Sequence, residues 1–132
     1  YMAYPTGSGS EILGRTTIDA QLNTPTAFRW DGTPATPGTS TGTGYLVPAN
    51  HIVTVLNISV CEQADSTTQG FYIWINNGTS DVYIVHKQLL PAASTFVYND
   101  KIVLIGGDTL EVVGYQTTAL DFVCNYIIQD WS

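Results

Sequence analysis

The chain has 132 residues, of which 44% are hydrophobic and only 11% charged, with 11 Asp and Glu against 4 Lys and Arg and a formal net charge of -7. That length predicts one domain able to bury a core of its own. The acidic balance excludes nucleic acid as the main partner, because Arg15, Arg29, Lys87 and Lys101 are too few and too scattered to form the basic stripe that phosphate binding requires.

A charge fraction well under the roughly 25% of ordinary soluble domains predicts a surface that lies against other protein. No run of about 18 apolar residues occurs, so no membrane partner is expected, and the N-terminus lacks the charged-then-apolar pattern of a secretory signal.

Residues 1–10 show no apolar period and read as an extended N-terminal arm, ordered only where something receives it. Residues 11–132 then read as a β-sandwich. A first strand is expected around Ile12 to Ile18 and a short second one at Thr26 to Trp30, followed by a long Gly/Pro/Thr loop at 31–44 that is either mobile or engaged with a partner.

From His51 the alternation sharpens. Ile52, Thr54, Leu56, Ile58 and Val60 are expected on one face, with Val53 and Val55 opposite. Phe71, Ile73 and Ile75 are expected inside the next strand, with Tyr72 and Trp74 outside, and Asn76-Asn77-Gly78-Thr79 is a hairpin turn. The returning strand from Asp81 is expected to put Val82 and Ile84 inside and Tyr83 and Val85 outside. Further strands follow around 95–98, 102–105 and 109–115, with Gly106-Gly107-Asp108 as the turn before the last of these. The final strand, 120–131, alternates strictly through Leu120, Phe122, Cys124, Tyr126 and Ile128.

About eight short strands with hairpin turns and no helix predict an all-β fold, a single antiparallel, jelly-roll-like sandwich. Tyr72, Trp74 and Tyr83 remain as aromatic surface for a neighbour, a self-association surface. Sugar stacking by Trp30, Trp74 or Trp131 is the competing use of the aromatics.

Nothing in the sequence predicts an enzyme. His51 and His86 lie far apart with no ligand spacing beside them, so no metal is expected. No nucleophile elbow is present, and Asp65, Asp81, Asp100 and Asp108 sit where solvated turn acids usually sit. The glycines build no phosphate cradle, so no cofactor is expected. Cys61 and Cys124 read as free buried thiols, a disulfide requiring their Cα atoms to lie within about 7 Å.

Met2-Ala3-Tyr4-Pro5-Thr6-Gly7-Ser8-Gly9-Ser10-Glu11 before a Thr-rich strand resembles the start of small virion proteins of tailed phages. The strand at 51–61 is similar to a core strand of such proteins, and Lys101-Ile102-Val103-Leu104 before Gly107-Asp108-Thr109-Leu110-Glu111-Val112 to one of their late hairpins. Within that class the head decoration, or capsid cement, proteins fit best.

The resemblance implies a non-enzymatic protein of the virion, assembled in the host cytoplasm, that binds the outer surface of a head. Its partner would be the major capsid protein, whose subunit joints it would stabilise, and it would act as a homotrimer. Tyr4, Pro5, Thr6, Gly7, Ser8 and Gly9 would contact the capsid by strand addition. The alternative is a tail- or fibre-associated receptor- or glycan-binding module.

Overall fold

The computed structural model describes residues 10–21, 24–63, 69–114 and 120–130. The capsid-contact residues Tyr4 to Gly9 fall outside them. The strands are β1 (Ser10–Gln21), β2 (Thr26–Ala27), β3 (His51–Glu62), β4 (Gln69–Asn76), β5 (Asp81–Leu90), β6 (Thr95–Tyr98), β7 (Ile102–Ile105), β8 (Thr109–Gly114) and β9 (Leu120–Asp130).

One sheet runs β1-β9-β3-β6 with β7 also on β3, and the other runs β2-β8-β4-β5. Every strand pairing is antiparallel. β6 faces residues 58–61 of β3 and β7 faces residues 52–55, so the two are halves of one edge strand broken at 99–101. Counted that way, the order is that of an eight-stranded jelly roll, as the turn spacing and alternation predict.

The core follows the alternation of β9. Leu120, Phe122, Cys124 and Tyr126 are buried, and Ile128 packs against the core edge. Phe122 meets Phe28 and Phe71 edge to face at centroid distances of 6.3 and 6.1 Å, a geometry the ring quadrupoles favour.

Two parity expectations fail at bulges. The β3 register against β9 shifts between Val55 and Asn57, so Leu56 is an extra residue. Val53 and Val55 therefore share the core with Ile58 and Val60, while Ile52 and Thr54 face outward.

β5 shifts twice against β4, once beside Ile84 and once near Lys87, whose φ is +52°. Val85 is thereby turned inward opposite Ile73, and Val82, expected inside, lies exposed at the sheet edge.

The loop at 31–44 is fastened to its own domain. Ala27 N–H donates to the Thr39 carbonyl at 3.0 Å, Trp30 N–H to Gly44 at 2.8 Å and Gly38 N–H to Thr26 Oγ1 at 2.7 Å. Asp31 accepts from the Thr33 N–H and hydroxyl and pairs with Arg29, which lies over the Tyr45 ring. In the turn before β8, Gly107 takes the left-handed conformation (φ +92°). Gly106 instead allows close approach, since a Cβ there would lie 3.1 Å from the Pro48 carbonyl. Asp108 is buried, not solvated, because its Oδ2 accepts the Ile105 N–H.

Candidate interaction surfaces

Tyr72, Trp74 and Tyr83 do come together, on the outer face of the four-stranded sheet, and His86 joins them. Ring centroids lie 5.5 Å apart for Trp74 and Tyr83, 6.1 Å for Tyr72 and Tyr83, and 5.1 Å for His86 with each tyrosine. The three are unequally available. Trp74 is only 5% exposed, whereas Tyr83 is 49% exposed. The Trp74 Nε1 has no hydrogen-bond partner among the described residues.

Sequence reasoning missed Glu111. Register places it in one row with Ala27, Trp74 and Tyr83 across β2, β8, β4 and β5. It is buried, and one carboxylate oxygen accepts the Thr109 hydroxyl at 2.9 Å. Burial pushes its carboxyl above the usual carboxylate range, further than the Thr109 hydrogen bond lowers it, and the Asp81 charge adds to the rise.

A carboxyl raised on folding favours the native state most when protonated, so its contribution declines as pH rises from the unfolded value, about 4.3, through the folded one. Glu111→Gln keeps an acceptor for Thr109 and removes the charge. Its Tm is expected to exceed the parent's by roughly a few degrees at pH 7. The difference should close toward pH 4, and melts across that range with a constant or negative difference would contradict the assignment.

The outer face of the five-stranded sheet is built on longer strands and is almost without charge. Val123, Asn125 and Ile127 on β9 alternate outward with the buried set, beside Ile52 and Thr54 on β3 and Val103 on β7. Val103 is exposed, and Asn125 donates to Asn57 at 2.8 Å near the middle. Charge stands at the margins, on Glu11, Arg15 and Asp121.

Ser10, Asp130 and His51 share a row across β1, β9 and β3. A nucleophilic relay needs the imidazole between hydroxyl and carboxylate. Here the carboxylate's strand lies in the middle, which leaves the Ser10 and His51 backbones about 9.6 Å apart at ordinary strand spacing. The His51 Nδ1 is engaged by the Ala49 carbonyl at 2.8 Å, and its Nε2 lies 3.8 Å from Asp130.

A cleft of about 500 Å³ lined by Leu46, Pro48, Asn50 and Gly107 holds no ionisable side chain in its wall. No cluster of metal-ligating side chains occurs among the described residues. Both cysteines are free, but only Cys124 is buried; Cys61 is exposed on the opposite face of the same sheet. Burial raises the Cys124 thiol far above its ordinary range and keeps it inert. Trp30 is a core residue in edge contact with Tyr126 at 5.0 Å, which removes it as a stacking platform.

No protein-family model matches the chain. No curated protein matches it either. Among solved structures, a Bacillus endospore appendage protein that forms disulfide-linked pili is similar over 100% of this chain and 98% of its own, at 9% identity and a TM-score of 0.48. The globular domain of zebrafish complement 1qA is similar over 93% and 95%, at 14% identity and a TM-score of 0.47. A pentameric capsid protein from metagenomic phage sequences is similar over 86% of this chain and 60% of its own, at 17% identity and a TM-score of 0.37. At these levels the likeness assigns neither a family nor an activity to this chain.

Proposed function

We propose that this protein is a non-enzymatic structural component of a tailed-phage virion, a decoration or cement protein that binds the major capsid protein on the outside of the head. The nearly uncharged outer face of the five-stranded sheet supports this reading. A free monomer of net charge -7 gains solubility from its carboxylates. A broad face that keeps its carboxylates, Glu11 and Asp121, at the margins suits contact with protein.

In this reading Tyr4, Pro5, Thr6, Gly7, Ser8 and Gly9 add main-chain hydrogen bonds to a capsid edge, and the rings of Tyr72 and Tyr83 meet neighbouring copies packed on the shell. No described feature selects the three-fold contact of a homotrimer. Binding across subunit joints stabilises the shell by mass action, because only the assembled shell presents the whole site.

The experiment is co-sedimentation of the purified protein with decoration-free heads. Saturable binding at stoichiometric occupancy is expected; absence of binding up to about 100 μM would overturn the cement reading. The four-ring cluster favours one second reading, a tail-associated glycan-binding module. Tyr83→Ala is its appropriate probe, since Trp74 and Trp30 are buried and their removal would damage the fold. Saturable binding on a glycan array, abolished by Tyr83→Ala, would establish that alternative.

A further inference from the structure

β1 is the edge strand of the five-stranded sheet, and only part of its free side is covered. Ala35 N–H donates to the Thr17 carbonyl at 2.8 Å, the Thr16 hydroxyl donates to the Thr33 carbonyl, and Ile18 bridges Ala35. Among the described residues no strand or loop pairs with the free side of residues 10–15. That open stretch carries Leu13, 73% exposed, and Ile12, 61% exposed. An open edge that exposes two aliphatic side chains and holds no proline or bulge is a template for another strand.

The Thr17 carbonyl fixes the phase. Strand backbone groups alternate in direction, and the β1 register against β9 is unbroken from Ser10 to Ile18. Arg15, Leu13 and Glu11 therefore also turn their N–H and C=O groups to the free side, while those of Ile12 and Gly14 turn toward β9.

We infer that β1 pairs antiparallel with β1 of a second copy about a two-fold axis at Leu13, joining two five-stranded sheets into one. A two-fold axis perpendicular to the sheet keeps each side chain on its own face, so the axis must pass midway between a residue and its own copy. Centring on Ile12 or Gly14 makes only two hydrogen-bonded pairs within residues 11–15, Glu11 with Leu13 or Leu13 with Arg15, whereas centring on Leu13 makes three. Centring on Glu11 sets two carboxylates opposite each other. Centring on Arg15 sets two guanidinium groups together and drives Leu13 against Thr17, which the 33–35 loop already occupies.

Centring on Leu13 places Leu13 against Leu13 and Glu11 against the second copy's Arg15 on both sides of the axis. Each facing pair exchanges both N–H···O bonds, and pairing ends where the loops at Thr16 begin. On the other face Ile12 lies opposite Gly14, whose missing side chain is required by the Tyr126 ring, since a Cβ there would sit 2.5 Å from it. The contact is isologous and closes at two copies. It needs no capsid, so it stands apart from the cement reading and gives a dimer where the resemblance implied a trimer.

The test is sedimentation equilibrium of the full chain without heads, expected to give twice the 14.3 kDa of one chain. Glu11→Arg and Arg15→Glu each turn two attractive pairs into repulsive ones and are expected to weaken the dimer about tenfold or more, while the double exchange restores it. Both positions are exposed, so the variants should keep the parent's circular dichroism. Amide exchange at Glu11, Leu13 and Arg15 is expected to slow as protein concentration rises. A monomer or trimer at about 100 μM, or single variants that leave association unchanged, would overturn the inference.

Discussion

Phe122→Ala is expected to lower stability by about 3–5 kcal/mol, a large part of the roughly 5–15 kcal/mol that holds an ordinary domain together. The side chain is fully buried on β9, the strand that pairs with both β1 and β3. Its ring meets Phe28 from the segment after β2 and Phe71 from β4, so one residue ties the two sheets through two aromatic contacts. Truncation forfeits the transfer free energy of the ring and leaves a void that two flanking rings, each committed to other partners, fill only in part.

Thermal melts should show a Tm lower by roughly 10–20 °C. Val103→Ala, a loss of apolar atoms on the exposed outer face, is the control and should stay within about 0.5 kcal/mol of the parent. Equal losses from the two variants would mean that the sandwich is not held by the inner face of β9.

That inner face was legible because β9 runs without a bulge, so alternation from Leu120 to Ile128 maps directly onto buried and half-buried positions. The same logic misassigned β3 and β5, where Leu56 and the Ile84 and Lys87 region each insert a residue. An inserted residue reverses parity without changing composition, and Leu56 and Ile84 look like any other strand residue. Of the three, Lys87 alone takes a positive φ, +52°, and a lysine gives no warning of it.

The aromatic cluster was half legible. Outward parity of Tyr72 and Trp74 held up to the bulges, but His86 arrived through them. Glu111 was illegible because a carboxylate between Leu110 and Val112 reads as the solvent face of a strand, whereas the row it shares with Trp74 and Ala27 is covered. The open edge of β1 was hidden for another reason: edge position is a property of strand order, and order is set by contacts between residues more than 100 apart, such as Leu13 and Ile127.

Removal of residues 2–9 is expected to abolish stoichiometric binding to decoration-free heads while leaving the fold intact. The deletion spares every strand among the described residues, the first of which is Ser10–Gln21, and the Tm should move by no more than about 2 °C. The six residues from Tyr4 to Gly9 hold two glycines and two hydroxyl side chains but only one large apolar group, Tyr4. Extended pairing with a capsid edge would give them hydrogen bonds worth about 0.5–1.5 kcal/mol each. Ordering costs of about 1–2 kcal/mol per residue offset much of that gain, which makes Tyr4 the residue that decides the sign. A net contribution near 3 kcal/mol corresponds to a loss of roughly 100-fold in affinity. Tyr4→Ala should then recover most of the truncation's effect on its own. Truncated protein that binds heads as tightly as the intact chain would remove the arm from the contact and leave the sheet faces to make it. Intact protein that fails to bind under the same conditions would instead remove the capsid as the partner.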